Sequence, residues 1–283
     1  MKILFSFLAL LFLSTPFLSA QKCYYTPEDS MRVEACLKAL RECRDTSPGA
    51  RMLSAARLFL DIPYVASTLE REPEGLVINL RGLDCTTLVE TALALSQTAG
   101  NDSVHPSFKA YCEALRHIRY RDGIVAYVER LHYVADWKEE NGKRGVVQDI
   151  TSTLPGNQSL PLRLSFISSH PQSYPPLVKH PEWISAIKRR ENSANLREYS
   201  YLPKEKLSES EPYIRDGDIL GFVTSVPGLD VTHLGIACRE GGKLTFLHAS
   251  SSARKVIVNL VPLREYLGRM KNCKGIWVIR ILK

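Results

Sequence analysis

Five short segments rich in β-branched residues fill the last third of the chain, and turn residues separate them. Their sequences are DGDILGFVT, VTHLGIACRE, KLTFLHAS, RKVIVNLV and KGIWVIRIL. Runs of this length and composition predict consecutive strands of an antiparallel sheet. We therefore predict a sheet within residues 211–283, and the residues that precede it have to pack against this sheet.

The residues before the sheet repeat apolar side chains at helical spacing. Predicted helices cover 27–44, 48–60, a run that begins at Cys85, and 107–118. Helices first and strands afterwards indicate an α+β fold, in which N-terminal helices pack on a C-terminal antiparallel sheet. We assign 21–118 as the helical part of one domain that extends over 21–283, a length sufficient for a substantial core.

The middle of the domain, residues 119–210, loses this periodicity and accumulates prolines, as in SSHPQSYPPLVKHPEW. Long loops inside a compact domain are uncommon unless they build a binding surface, and the competing explanation is a disordered linker. Aromatic residues such as Tyr174 and Trp183 in this region argue against disorder. We therefore predict a loop-rich insertion that binds substrate.

The first twenty residues have the layout of a secretory leader, with one positive charge, an apolar run and small residues before Ala20. The apolar stretch 3–13 is too short to span about 30 Å of hydrocarbon, so an anchor is not favoured. A lipoprotein is not favoured either, since Cys23 does not directly follow the small-residue site. We predict cleavage near Ala20 and export to a periplasm or to the cell exterior, with no membrane span.

The formal net charge of the whole chain is +7, and a basic surface attracts nucleic acid, anionic membranes or acidic small substrates. No single predicted helix concentrates the cations, and no aromatic stacking motif accompanies them. Nucleic acid is therefore not the expected partner.

Seven cysteines in an exported chain permit three disulfides and one free thiol. Cys36 and Cys43 lie two turns apart on one predicted helix, about 10 Å along its axis, which is too far for a bridge. Spacing leaves the connectivity of the others open, namely Cys23, Cys112, Cys238 and Cys273.

One cysteine stands at a helix start, in the stretch NLRGLDCTTLVETALALSQ. Asp84 is a suitable N-cap there, and Thr86 and Thr87 would fill the first turn. Unpaired backbone N–H groups and the helix dipole at such a position favour a thiolate at Cys85. A packing role is the common alternative, so a nucleophile needs a base elsewhere in the chain.

A candidate base comes from the strands. A turn centred between Gly241 and Gly242 pairs Gly235 with His248 and makes His233 its diagonal neighbour, at about 7–8 Å between backbones. A slip of one residue would place the two imidazoles on opposite faces. Because small residues flank His233 on its face, the hairpin predicts a His–His pair that faces the helix layer.

A thiol, a base and a group that orients the base form the set needed for nucleophilic attack on a carbonyl. Zinc bound by Cys85, His233 and His248 is the other use of such a set. The sequence has none of the closely spaced ligand pairs of common zinc sites, so we predict no metal.

These residues resemble the NlpC-type cell-wall hydrolases, which are papain-like cysteine peptidases and amidases. LDCTTLVE resembles the family's nucleophile block, VTHLGIA the strand with the base, and FLHASS the strand with the third member. DIPYVASTLE resembles the segment whose tyrosine, here Tyr64, lines the active site. Thr86-Thr87 departs from the usual Ser-Gly and, with RLHYVADW and SFISSHPQSYP, resembles a narrower branch, the N-acetylmuramoyl-L-alanine amidase-like group.

The resemblance implies a papain-like fold and hydrolysis of the amide between N-acetylmuramic acid and L-alanine, with 1,6-anhydro muropeptides as substrates. It implies that Cys85 is the nucleophile, His233 the base and His248 the orienting residue, with a thioester intermediate and no cofactor. Substrate-binding residues implied by it are Tyr64, Asn79, His132, Tyr133, Asp136, Trp137, Ser169 and His170. The expected partner is a peptidoglycan fragment, and the protein is expected to be a monomer.

Three alternatives stay open at this point. An endopeptidase that cleaves the stem peptide after D-glutamate would use the same three residues. A wall-binding module without activity and a lipid acyltransferase are the others, and no amphipathic or anchoring segment favours the last.

Overall fold

The computed structural model describes residues 22–282, so the leader predicted over 1–20 and its cleavage near Ala20 lie outside the described residues. The helices are α1 (Pro27–Arg41), α2 (Pro48–Arg57), α3 (Cys85–Gly100), α4 (Phe108–Arg119), α5 (Val134–Lys143), α6 (Phe166–Ser169), α7 (Pro175–Lys179), α8 (Ile184–Ala194), α9 (Leu207–Ser210) and α10 (Leu263–Arg269). The strands are β1 (Cys23–Tyr24), β2 (Leu76–Val77), β3 (Val147–Asp149), β4 (Gln158–Ser159), β5 (Ser200–Pro203), β6 (Ile219–Thr224), β7 (Val231–Glu240), β8 (Lys243–Ser250), β9 (Lys255–Val258) and β10 (Cys273–Ile281).

The main sheet has eight strands in the order β4-β5-β10-β6-β7-β8-β9, with β3 also paired to β10. Every pairing in it is antiparallel, whereas β1 and β2 form a separate parallel pair. The α+β class and the antiparallel sheet are thus confirmed. Within residues 22–282, no helix combines the length and apolar character needed to cross a membrane.

The middle region is more regular than the sequence predicts. It contributes the ten-residue helix α5 and the eleven-residue helix α8, and its strands β3 and β5 pair with β10. The expectation that the sheet comes only from the last third is therefore wrong. Alternation along β3 and β5 is too short to be recognised, since they have only three and four residues.

The two faces of the sheet bury different layers. One face, which includes Leu234, Ile236 and Leu247, forms a single core with α1 to α5. The other face, which includes Phe222 and Phe246, packs with α10 in a second core. Helix α3 lies centrally in the first layer, and its side chains from Thr87 to Ser96 are all buried.

Candidate active site

Helix α3 begins at Cys85 because the residues around it complete a capping box. Asp84 Oδ1 accepts from the backbone N–H of Thr87 at 2.8 Å, and Thr87 Oγ1 accepts from the backbone N–H of Asp84 at 2.9 Å. These bonds satisfy backbone donors that helix geometry leaves free. The predicted N-cap is confirmed, and Thr87, where the sequence departs from the resembled motif, is part of it.

The segment that leads into this helix is fixed from the N-terminal side. Asp29, which is fully buried, accepts from the backbone N–H of Leu80 at 3.0 Å and pairs with Arg81. Asn79 Oδ1 accepts from the backbone N–H of Arg81 at 3.2 Å. The predicted substrate residue Asn79 thus shapes the turn that precedes Cys85.

The backbone N–H of Leu234, on β7, is close enough to the Cys85 thiol to lower its pKa. The Ala237 N–H donates to Asp218 on the β6 side at 2.8 Å, so by alternation the Leu234 N–H faces the β8 side. Pairing between β7 and β8 ends at Ile236 and Leu247. The Leu234 N–H that acts on the Cys85 thiol therefore faces the gap that opens where the two strands separate.

Both histidines come from the strands that border this gap. His233 Nε2 and His248 Nδ1 are 2.7 Å apart, and the rings meet edge to face with 4.9 Å between centroids. The Ile236–Leu247 pairing is the register predicted from the Gly241-Gly242 turn. The predicted His–His pair is confirmed.

The prediction that this pair faces the helix layer is wrong. His233 lies 5.3 Å from the Phe222 ring, and His248 lies 4.6 Å from Phe246, so both are on the α10 face. A Cβ on Gly235 would lie 2.6 Å from Phe246 Cδ2. The small residue next to His233 therefore makes room for an aromatic ring of the neighbouring strand and not for a helix.

Burial determines the protonation states of Cys85, His233 and His248. It raises the pKa of the Cys85 thiol to about 11, and the charge of Asp84 adds to this effect, while the Leu234 N–H and Thr86 oppose it. Burial also lowers the pKa of His233 to about 4. The pKa of His248 falls to about 3 through burial and then through His233. Contrary to the thiolate expected from the helix dipole, the resting site holds a neutral thiol and neutral imidazoles.

Tyr64 is adjacent to the nucleophile through a short parallel bridge to Leu83. Burial, Cys85 and Asp84 raise the pKa of its phenol. Tyr64 therefore remains a hydrogen-bond donor at the edge of the site.

Three other predicted substrate residues are buried and have internal neighbours. The Tyr133 hydroxyl donates to Glu191 at 2.7 Å and accepts from the Ile167 N–H at 2.9 Å. Asp136 pairs with Arg121 and Arg197, and the Trp137 side chain belongs to the first core. Their roles in substrate binding stay predictions.

Of the remaining three, His132 and His170 are half-buried and Ser169 is exposed. His132 Nε2 is 2.8 Å from the Tyr127 carbonyl, and burial lowers the pKa of its ring to about 3. His170 stacks on Phe166 with 4.4 Å between centroids, and Ser169 before it is exposed. Their roles also stay predictions.

Sequence reasoning missed the residues that hold the histidine pair. Phe246 and Tyr266 pack around His248, with ring centroids at 4.6 Å and 6.1 Å. The buried Asp230 accepts from the Ala135 N–H at 2.7 Å and so ties the start of β7 to α5. Its position directly before the VTHLGIA strand was the available signal.

Within the part of the chain that the structure describes, no group of three or more His, Cys, Asp or Glu side chains is arranged to hold a metal ion. Cys85 is not in a disulfide. The chain thus combines a free cysteine at a helix start with a histidine pair on the neighbouring strands, and residues of these types can carry out acyl transfer.

Comparisons with known proteins identify a family for this chain and solved structures with the same fold. Residues 54–276 match a family model described as AmiA-like, N-acetylmuramoyl-L-alanine amidase-like. An N-acetylmuramoyl-L-alanine amidase from Bacteroides uniformis is 43% identical with a TM-score of 0.78, and the match covers 83% of this chain and 99% of that one. A candidate xylanase from Bacteroides fragilis is 39% identical with a TM-score of 0.76, over 81% and 100% of the two chains.

A Legionella pneumophila protein of family DUF1460 shares the fold, with a TM-score of 0.69 at 21% identity over 90% of this chain and 95% of that one. Among curated proteins, none matches this sequence.

Proposed function

Because the chain belongs to the AmiA-like family of N-acetylmuramoyl-L-alanine amidase-like enzymes, we propose that it cleaves the amide between N-acetylmuramic acid and L-alanine by cysteine catalysis. Enzymatic amidase activity toward the cell wall follows from the family. The catalytic residues, the thioester intermediate and the preferred substrate are proposed in addition to this family activity. The single observation that supports this proposal is that the Leu234 N–H, which acts on the Cys85 thiol, directly follows His233, the histidine that is paired with His248.

The first chemical step moves one proton and forms one bond. His233 Nδ1 takes the proton from the Cys85 thiol while the sulfur attacks the amide carbonyl carbon. The neutral starting state means that proton transfer accompanies attack and does not precede it. The carbonyl oxygen becomes an oxyanion, for which the backbone N–H of Cys85 and the Tyr64 hydroxyl are the donors.

The second step breaks the carbon–nitrogen bond. The proton on His233 passes to the nitrogen of L-alanine, which leaves as the free amine of the stem peptide, and a thioester on Cys85 remains. Water then attacks the thioester with His233 again as the base. The products are the sugar lactyl carboxylate and the restored thiol.

His248 stabilises the charge that His233 carries between these steps. For His233 Nδ1 to accept a proton, its own proton has to be on Nε2, and Nε2 then donates to His248 Nδ1. Among the described residues the buried His248 Nε2 has no hydrogen-bond partner, whereas Nδ1 of the same ring lies 2.7 Å from His233 Nε2. The low pKa of His248 keeps it neutral and able to accept.

The preferred substrate proposed is the 1,6-anhydro muropeptide, as the resemblance implies. Stem peptides carry carboxylates, and the net charge of +7 favours their approach. Tyr64, Asn79, His132, Ser169 and His170 are the proposed contacts near the surface. We place the chain in the papain-like NlpC-type superfamily on the same grounds, a nucleophile at a helix start and its base on a strand.

A cell-wall amidase acts outside the cytoplasm, in a periplasm or beyond the cell surface. The leader proposed over 1–20, with cleavage near Ala20, would deliver the chain there. N-terminal sequencing of the protein from the producing cell checks this point, and a mature chain that still carries residues 1–20 overturns it.

Product analysis tests the bond that is cleaved. The protein is incubated with an anhydro-muropeptide, and the products are separated by liquid chromatography and identified by mass. Free anhydro-N-acetylmuramic acid with an intact stem peptide is the expected result. A muropeptide shortened after D-glutamate would establish the endopeptidase instead.

A further inference from the structure

The segment that follows the N-terminal strand contacts the start of helix α4. Tyr25 and Phe108 are in contact, with 4.8 Å between ring centroids. Cys23 precedes Tyr25 by two residues, about 6.6 Å along an extended chain. Cys112 follows Phe108 by four residues, about 6 Å along a helix and on the same face. These matched spacings bring the two cysteines together.

A second contact fixes the same alignment. β1 pairs with β2, where Tyr24 is opposite Val77. The Val77 carbonyl accepts from Arg119 Nη1 at 2.7 Å, and Arg119 is the last residue of α4. The helix is therefore anchored to the strand pair at its C-terminal end as well as at Phe108.

We propose that Cys23 and Cys112 form a disulfide that fastens the N-terminal strand to α4. The two side chains are within hydrogen-bonding reach of each other as free thiols. A cell-wall amidase acts in compartments where such bonds form and persist. The inference concerns the scaffold and does not depend on the proposed catalytic residues.

The two thiols differ in exposure and in pKa, and this difference determines which of them reacts first. Cys23 is exposed, and its contact with Cys112 and the nearby Arg119 lower its thiol pKa in spite of some burial. Contact with Cys23 and burial raise the pKa of Cys112. The exposed sulfur with the lowered pKa loses its proton more readily, so Cys23 is the one that reacts first.

The oxidant is a disulfide of the thiol-oxidoreductase or glutathione class. The Cys23 thiolate attacks one of its sulfurs, forms a mixed disulfide and releases one thiolate. Cys112 then loses its proton, and its sulfur attacks Cys23 and releases the second thiol. Two electrons pass from the two cysteines to the oxidant, which leaves fully reduced.

The other cysteines are unsuitable competitors. Cys36, Cys238 and Cys273 are buried, and Cys43 Sγ donates to the Ala39 carbonyl at 3.7 Å. They serve as internal controls, because a selective bridge leaves them as thiols.

The test uses the purified Cys85→Ala protein, so that the nucleophile takes no part in thiol exchange. It is held in a mixed oxidised and reduced glutathione buffer, alkylated in denaturant at acidic pH and digested without reduction. We expect one cross-linked peptide that joins Cys23 to Cys112, with the other four cysteines alkylated. Alkylation or separate glutathionylation of both residues, or a bridge from Cys23 to another cysteine, overturns the proposal.

A thermal melt supplies the second readout. Reduction should lower the Tm of the bridged protein by about 5–10 °C, since the bridge closes a long loop. The Cys112→Ser variant should not respond to reductant, and Cys36→Ser should respond like the parent. A bridge whose reduction leaves the Tm unchanged overturns the fastening role. Neither readout uses a muropeptide, so failure here is separate from failure of the proposed reaction.

Discussion

His233 Nε2 lies 2.7 Å from His248 Nδ1, while the other ring nitrogen of His248 is buried without a hydrogen-bond partner among residues 22–282. In the proposed mechanism the pair forms a single hydrogen bond, which His233 as the base donates to His248. That mechanism requires of His248 only an acceptor atom at the position of Nδ1.

Replacement of His248 tests that requirement. His248→Asn places an oxygen at the position of Nδ1, and it should retain more kcat than His248→Gln, whose oxygen is one bond further out. His248→Ala should lose about 10- to 100-fold in kcat, the equivalent of one charge-assisted hydrogen bond. Steady-state kinetics on an anhydro-muropeptide measure this order, and equal kcat for the Asn, Gln and Ala variants would contradict the directed bond.

The pH profile distinguishes a neutral thiol and imidazole from a preformed ion pair. His233, with a pKa lowered to about 4, cannot accept a proton in more acidic solution, so kcat/KM should fall as pH drops through about 4. Cys85, with a pKa raised to about 11, stays a thiol up to strongly basic pH. The profile should therefore be flat from about pH 5 to 10.

An ion pair would instead lose activity in mildly basic solution, when its imidazolium gives up a proton. The thiolate absorbance near neutral pH, taken as the difference between the parent and Cys85→Ala, should be close to zero. A full equivalent of thiolate at pH 7 would refute the neutral pair.

Gly235→Ala should destabilise the protein and lower its activity together. The added methyl lies 2.6 Å from Phe246, and overpacking of this kind costs about 1–3 kcal/mol. Gly268→Ala in helix α10 is the matched control, because nothing lies within 4 Å of its added Cβ. Urea unfolding and activity are measured for both, and the prediction fails if Gly235→Ala behaves like Gly268→Ala.

A buried ion pair supports the back of helix α3. Arg119 donates to Glu90 at 2.6 Å, and both side chains are almost fully buried. Arg119→Met leaves an unpaired buried carboxylate and should cost about 3–5 kcal/mol. Adding Glu90→Gln should recover part of that loss, and urea denaturation of the single and double variants measures it. A double variant less stable than Arg119→Met would argue against the pairing.

Acid should weaken the fold through His132. Burial, followed by Arg130, lowers the pKa of His132 to about 3, whereas an unfolded histidine titrates near 6.5. The unfolded state then binds more protons, so the contribution of His132 to stability is complete above about pH 6.5 and is lost as pH falls toward 3. The free energy of unfolding is measured from pH 7 to 4. Its slope against pH should decrease in His132→Gln by the equivalent of about one bound proton. An unchanged slope would contradict the prediction.

Local sequence signals predicted two features of the candidate site, the cap of helix α3 and the register of the two histidines. The Asp84 cap is encoded by residues three apart, and the His233–His248 register follows from a two-residue glycine turn. Both depend on interactions between near neighbours in sequence, which a pattern records directly.

The face of the sheet was not predictable in the same way. Gly235 looked like space for a helix, but that space is filled by Phe246 from the adjacent strand. Helices α5 and α8 were missed because buried polar residues, such as Asn141 and Glu191, break their apolar pattern. Those residues are buried through hydrogen bonds to distant segments, which one sequence does not display.

The proposed reaction passes through a covalent intermediate on the Cys85 sulfur, which acid-quench mass spectrometry detects. The parent enzyme, mixed with an anhydro-muropeptide and quenched in acid within a turnover, should carry one anhydro-N-acetylmuramoyl group on the peptide that contains Cys85. The Cys85→Ala enzyme should carry none and should lose activity by about 10⁴-fold or more. Turnover by Cys85→Ala at the parental rate would contradict the account.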